Sequence, residues 1–325
     1  MKVISVLMSV FNENEEELRS SVDSILNQSF ADFEFIITID NPANEMLNDI
    51  LSEYARLDSR IVLIKNQENI GLAESLNRAA SVARGKYFCR MDADDISVPD
   101  RLQKQHEVIS KKDYDLVCSS FYYIDENGKV IGDNKECYSS SGIKRIIKYK
   151  NVIHHPTVIM KADAFYKVGG YNNFPCAQDY DLWLRMVKYN YRFYMMKDKL
   201  IYYRIRPEST SFKKRYLQQC TIEYIQLINR KKLYKFSPED YWRYLANKKV
   251  DNSNIADDFK KYMDLYASAK KDLKEGNILS FVKKFLKVYI HSKYFRPNII
   301  RVLYTSIIRM TDIWLVNKGF LKEES

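Results

Sequence analysis

The stretch Lys86-Tyr87-Phe88-Cys89-Arg90-Met91-Asp92-Ala93-Asp94-Asp95 sets three carboxylates within four positions, directly behind an apolar, strand-like run. Crowded carboxylates repel one another, so such a cluster calls for a cation to hold or a chemical task to perform. Mg²⁺ and Mn²⁺ take oxygen ligands and keep positions open for substrate phosphates. The competing reading is a helix start, with Ser97 as cap, Pro99 in the first turn and Asp100 complementing the helix dipole. The surrounding chain decides between the two.

Upstream, short apolar runs alternate with amphipathic ones. Val3–Val10, Phe33–Ile39, Ile61–Ile64 and Lys86–Met91 read as strands, while Glu15–Gln28, Ala43–Arg56 and the segment from Gly71 through Val82 read as helices. This rhythm predicts an α/β fold with a mostly parallel sheet flanked by helices. In such sheets ligands lie beyond the carboxyl ends of the strands. Phe11-Asn12-Glu13, Asp40-Asn41 and Asp92-Ala93-Asp94 follow three of those ends, and their convergence favours a functional carboxylate cluster. Downstream, a hairpin is predicted from Leu116–Ile124 through Asp125-Glu126-Asn127-Gly128 to Lys129–Ile131. A helical piece over Ile143–Tyr149, a strand over Thr157–Met160, a helix over Gln178–Val187 and two strands near Arg192–Met196 and Leu200–Ile205 follow. Beyond Ser211 the pattern is wholly helical and rich in Tyr and Lys, which sets a domain boundary near residue 212 and a helical region over 213–325.

The 325 residues, 46% hydrophobic and 29% charged, suit one large or two modest folded domains. Five scattered cysteines with no CxxC pair (Cys89, Cys118, Cys137, Cys176, Cys220) argue for reduced thiols in a cytoplasmic protein and against a zinc site. No run reaches the roughly 20 apolar residues that span a bilayer, and the first strand starts too early for a signal peptide. The net charge of +10 is uneven: from Lys213 onward there are 24 Lys and Arg against 12 Asp and Glu, and the preceding body is slightly acidic. Basic tails attract nucleic acid or anionic membrane. Ile278, Phe281, Val282, Phe285, Leu286 and Tyr289 fall on one helical face, with Lys283, Lys284 and Lys287 beside or opposite it. That pattern fits either peripheral attachment to the inner face of a cell membrane or a packing domain with a solvated basic surface.

Several motifs, taken in order, resemble the family 2 glycosyltransferases of the GT-A fold. They are Ile4–Glu13, Gln28-Ser29-Phe30, Ile36–Asp40, Asn69-Ile70-Gly71-Leu72 with Asn77, the Asp92-Ala93-Asp94 DxD motif, and Gln178-Asp179-Tyr180-Asp181-Leu182-Trp183-Leu184-Arg185. The resemblance covers about residues 1–212 and implies an inverting, non-processive, metal-dependent transferase using a UDP-sugar. The implied setting is surface-polysaccharide assembly of the capsule or O-antigen kind, on a saccharide or lipid-linked saccharide acceptor. Phe11 stands where the family usually stacks a Tyr on the base, and Glu13 lies in the same nucleotide-binding turn. Asp40 would accept the uracil N3–H, an atom cytosine lacks, or would be a simple strand-end turn residue. Asn41 stands in place of a more usual second Asp. The resemblance implies Asp94 as ligand of Mn²⁺ or Mg²⁺ and Asp92 at the ribose or the metal's water shell; the helix-start reading keeps Asp95 for capping. It implies Asp179 as general base, the alternative being an N-cap, with Gln178 where Glu is common. Arg206, where His is common, would clamp the diphosphate or be a plain surface Arg. His154 and His155 are either structural or acceptor-facing.

Competing classes fare worse on the same residues. A basic-tailed nucleic-acid-binding protein is permitted by charge, yet no nucleic-acid module is recognisable. A dinucleotide oxidoreductase needs GxGxxG after the first strand, where Phe11-Asn12-Glu13-Asn14 stands. A processive synthase would need membrane spans and a QxxRW motif. A non-catalytic sugar-nucleotide binder remains the alternative.

Overall fold

A computed structural model describes residues 3–205, 215–230, 236–292 and 296–317. They fall into two compact units, one of residues 3–147, 151–205 and 315–317, the other of 148–150 and the described residues from 215 to 314. Residue 212, the expected boundary, lies outside the described residues.

The first unit begins with β1 (Ile4–Val10), α1 (Glu15–Leu26), β2 (Phe33–Ile39), α2 (Glu45–Leu57), β3 (Ile61–Lys65), α3 (Leu72–Val82) and β4 (Tyr87–Arg90). The helices start where side chains can serve their unpaired first amides: Asn14 accepts from Glu17 N at 2.9 Å and Asn44 from Leu47 N at 3.2 Å. Every residue of β2 is buried, as its near-continuous apolar run requires of a strand covered on both faces. Its one charged residue, Glu34, is answered by Ser5 Oγ at 2.7 Å and by an ion pair with Arg84 at 2.9 Å.

The rest of the unit is β5 (Ile96–Ser97), α4 (Arg101–Lys111), β6 (Leu116–Ile124), β7 (Val130–Asp133), α5 (Ser140–Ile146), β8 (Ile159–Lys161), α6 (Ala162–Lys167), α7 (Gln178–Lys188) and β9 (Phe193–Arg204). The sheet order is β3-β2-β1-β4-β8-β6-β9-β5, with β7 on the side of β6. The four strands β3, β2, β1 and β4 are parallel, as expected. The remainder is mixed: β8 runs antiparallel to both β4 and β6, while β6 and β9 are parallel. "Mostly parallel" therefore describes only the half that carries the strand-end motifs. The order reverses at β1, which has β2 on one side and β4 on the other, so the crevice for a ligand opens above β1.

Local differences from expectation have local causes. The two strands near 192–205 are one long strand, β9, whose register with β6 shifts around Ser119–Tyr122. Pro156 lacks an amide for the ladder, so His155–Thr157 forms a short 3₁₀ turn and the strand starts later, at Ile159. Ser139 Oγ accepts from Gly142 N at 3.0 Å and starts α5 earlier than the apolar spacing suggested.

The second unit is helical: α8 (Arg215–Arg230), α9 (Pro238–Asn247), α10 (Ser253–Lys274), α11 (Ile278–His291) and all but the last three residues of α12 (Arg296–Asn317). Tyr216, Tyr224, Tyr241, Phe259 and Tyr262 are buried in it, which accounts for the aromatic richness of this region. The six apolar residues expected on one face of α11 divide. Phe281 and Phe285 are half-buried, while Ile278, Val282, Leu286 and Tyr289 are exposed. No helix among the described residues is long and apolar enough to cross a membrane.

Candidate active site

The ends of β1, β2 and β4 lie side by side, with Val10 in register with Ile39 and Leu7 with Arg90. Behind β1, Phe11 is 40% exposed, a large ring left at the crevice rather than in the core. Its amide donates to Glu13 Oε2 at 2.8 Å, which closes the turn. Asn41 Nδ2 donates to Asn12 Oδ1 at 2.8 Å and ties the end of β2 to the end of β1.

Asp40 is buried and organises the floor of the crevice. Its carboxylate accepts from Asn66 Nδ2 at 2.7 Å, Ile70 N at 2.9 Å and Gly71 N at 2.9 Å. Three of its roughly four acceptor positions are thereby used, leaving room for one further donor. Gly71 sits at φ +86°, a conformation other residues adopt only at a cost, and opens α3 there. Asn69 and Asn77 act as scaffold: Asn69 Oδ1 accepts from Gly71 N at 3.0 Å, and Asn77 exchanges two bonds of 2.9 Å with the backbone of Tyr171.

The carboxylate cluster behind β4 is held by arginines to which the sequence analysis gave no role. Arg90 is buried and donates to Asp92 Oδ1 and to Leu7 O. Arg204, at the end of β9, donates from its backbone to Asp95 Oδ1 at 2.9 Å and from Nε to Asp94 O at 2.9 Å. Its Nη1 donates to the carbonyls of Asp125 and Glu126, so one side chain joins the Asp turn to the hairpin turn. Arg101 is fully buried and bonds Arg90 O and Pro156 O, both at 2.7 Å.

The helix-start reading of this stretch is corrected. Asp95 caps no helix: it is buried beside Asp94 and Asp92, and burial with those two charges pushes its carboxyl well above the usual range. Its Oδ2 is buried with no hydrogen-bond partner. Ser97 lies in β5 and its Oγ accepts from Gln28 rather than from a helix amide. Asp100 occupies the N-cap of α4 but makes no side-chain cap bond, and pairs instead with Lys104 at 2.8 Å.

Asp179 is in the first turn of α7, not at its N-cap, which is Ala177 in a left-handed conformation at φ +59°. A non-glycine residue held there stores strain of about 1 kcal/mol, a feature met at functional sites. Asn151 Nδ2 donates to Asp179 Oδ2 at 2.8 Å. Burial, with a further push from the Asp92 charge, raises the Asp179 carboxyl to about 6, against the hydrogen bonds from Asn151 and the backbone. The start of α7 is anchored from behind. Arg185 pairs with Asp181 at 2.8 Å and donates to Val168 O and Gly170 O, while Asn172 bonds Asp181 at 2.8 Å. Gly170 is at φ +67°, and a Cβ there would meet Asn77 Oδ1 at 2.8 Å, so only glycine lets this loop close on α3. Leu182 and Trp183 are core residues.

His155 is structural. Its Nε2 lies 2.7 Å from Tyr171 Oη, and burial holds its ring neutral, well below the usual range. His154 is half-buried with its ring 4.4 Å from that of Phe121. Arg206 lies outside the described residues.

Among the described residues, no three His, Cys, Asp or Glu side chains are grouped to hold a metal by themselves. The orphaned Oδ2 of Asp95 and the mutual repulsion of the three Asp side chains mark an excess of negative charge that a cation would relieve.

Residues 5–169 match the model of the glycosyl transferase family 2. The glycosyltransferase MJ1057 of Methanocaldococcus jannaschii is 36% identical over 256 residues, covering 78% of this chain and 83% of its own. The O-antigen biosynthesis glycosyltransferase WbnJ of Escherichia coli is 35% identical over 212 residues, 65% of this chain and 82% of its own. Among solved structures, Staphylococcus aureus TarS 1–349 in complex with UDP-GlcNAc shares the fold with a TM-score of 0.56 and 18% identity, over 76% of this chain and 71% of that one. With a parallel half-sheet, a carboxylate turn behind β4 and a match over half its length, the chain belongs to glycosyl transferase family 2.

Proposed function

We propose that the protein moves a hexose or N-acetylhexosamine from a UDP-sugar to a hydroxyl of a saccharide or lipid-linked saccharide, one sugar per encounter, with inversion at the anomeric carbon. The observation that carries this reading is the placement of Asp179, a half-buried carboxylate in the first turn of α7 held by Asn151 Nδ2 at 2.8 Å, where desolvation and the Asp92 charge raise its proton affinity to about 6. A base with that affinity for protons is mostly ionised at neutral pH yet still takes a proton readily. Asp179 removes the proton of the acceptor hydroxyl as its oxygen bonds to the anomeric carbon. The bond from that carbon to the diphosphate breaks on the opposite face and UDP departs. Asn151 keeps Asp179 oriented.

Asp94, with Asp92 at the ribose or the water shell, would hold Mn²⁺ or Mg²⁺, and Arg90 already offsets the Asp92 charge. When bound, such an ion neutralises charge on the leaving diphosphate. Phe11 stacks on the base, Asp40 offers its remaining acceptor position to the uracil N3–H, and Glu13 and Asn41 shape the nucleotide side. Arg206 clamps the diphosphate. A uracil donor is supported by the Asp40 carboxylate and by the UDP-GlcNAc complex of TarS. A surface-polysaccharide acceptor is supported by the O-antigen role in the name of WbnJ.

The test is a panel of UDP-, GDP- and CDP-sugars incubated with Mn²⁺ and candidate acceptors, with product configuration read by NMR. The reading predicts turnover of one UDP-sugar, loss of turnover in EDTA, and an inverted linkage. A retained configuration, or full turnover in EDTA, would contradict it.

A further inference from the structure

Among the described residues, the second unit carries an exposed apolar stripe on α11. In α11, Phe281, Phe285 and Val288 turn inward; Val288 is fully buried and the rings of Phe281 and Phe285 lie 5.6 Å apart. The opposite side is open to solvent. Ile278 is 65% exposed, Leu279 86%, Val282 42% and Leu286 48%. At 100° per residue these four occupy one continuous arc of roughly a quarter of the helix circumference. Scattered exposed hydrophobics need no explanation, but a contiguous stripe on one helix marks a contact surface.

The charge beside the stripe identifies the partner. Lys283 and Lys287 continue the same arc and are exposed. Lys284, one step further round, is held to Asp272 of α10 at 2.7 Å. No acidic residue occurs between Gly276 and Thr311, whereas seven Lys and Arg do. The acids nearest in sequence close α10: Asp272 is taken up by Lys284 and Ser280, and Glu275 lies 3.8 Å from Lys271. A second copy of this chain would set lysine against lysine, so self-association through this face is disfavoured. An apolar arc edged by cations on one side fits the boundary between acyl chains and anionic headgroups.

We infer that α11 is a peripheral membrane-docking helix: it lies in the plane of an anionic bilayer with Ile278, Leu279, Val282 and Leu286 inserted and Lys283 and Lys287 on the headgroups. This goes beyond the transfer reaction and does not depend on it.

The test is flotation of the full chain with phosphatidylcholine vesicles, with and without about a third phosphatidylglycerol. Binding is expected on the anionic vesicles, falling at least fivefold when salt is raised about tenfold. Leu279→Glu with Leu286→Glu should lower partitioning at least tenfold with no change in circular dichroism or Tm, since both positions are exposed. Lys283→Glu with Lys287→Glu should remove the preference for anionic lipid, at roughly fivefold per lysine. As a readout independent of the glutamate variants, Leu279→Trp should blue-shift its emission on anionic vesicles. Equal flotation of wild type and both double variants, or an unshifted tryptophan, overturns the inference. So does a wild-type dimer in light scattering that Leu279→Glu with Leu286→Glu dissociates.

Discussion

Asp179 is the residue on which the chemistry turns, and its environment makes two demands that can be measured. Its proton affinity is raised in the folded state, to about 6 from an ordinary aspartate near 4. The native fold therefore prefers it neutral. Stability declines as pH rises from about 4 through 6 and is level above, because an ionised Asp179 opposes folding there. Asp179→Asn removes that cost and keeps an oxygen acceptor for Asn151, so at neutral pH it should raise Tm by about 2 °C or more while cutting turnover roughly 10²–10⁴-fold. Thermal melts and UDP release on the same sample check both halves. The pH profile of kcat/KM should show an acidic limb near 6, with activity present above it and lost below. Asn151→Ala deletes a bond that favours the ionised form, so it should move that limb to higher pH and leave activity partly recoverable by alkali. An unmoved limb would place the base elsewhere.

Loops at the strand ends hold the nucleotide side together, and Asp40 is their keystone at the element scale. Its three accepted bonds link β2 to the turn that opens α3. Asp40→Ala leaves the Ile70 N–H without its acceptor and reduces Gly71 N and Asn66 Nδ2 to their remaining bonds with Asn69 Oδ1 and Ser75 Oγ. A loss of about 2–4 kcal/mol in denaturant unfolding is expected, together with loss of UDP binding. Unchanged stability would show that the loop does not rely on the carboxylate.

The strands, the helices and the converging acidic turns were legible in the amino-acid order because periodicity and turn chemistry are local properties. What the order hid is what distant segments do to one another. Arg204 grips the Asp turn from 110 residues away, and Asn151 reaches Asp179 across 28. Neither stretch carries a local pattern that names these partners. Asp95 looked like a cap because its neighbours Ser97 and Pro99 suit a helix start. The long β9 strand draws this segment into the sheet at β5, where Ile96 pairs with Tyr202. The antiparallel placement of β8 was equally hidden, since the order contains nothing that sets the direction of a three-residue strand.

On the scale of the molecule, the chain divides its charge as it divides its packing. A nearly neutral α/β unit carries the carboxylates and a basic helical unit carries the exposed stripe of α11. Transfer to a soluble acceptor should therefore be indifferent to Lys283→Glu with Lys287→Glu, whereas transfer to an acceptor embedded in anionic vesicles should fall with the loss of binding. Comparing the two rates for one preparation separates catalysis from surface recruitment. The central claim is a division of labour between two carboxylates, Asp94 for the metal and diphosphate and Asp179 for the proton. Calorimetric titration of UDP with Mn²⁺, beside turnover, tests it in one set of variants. Asp179→Asn should bind UDP as the wild type does and fail to turn over, and Asp94→Ala should lose metal-dependent UDP binding as well as turnover. An active Asp179→Asn, or an Asp94→Ala that binds UDP normally in Mn²⁺, would contradict the account.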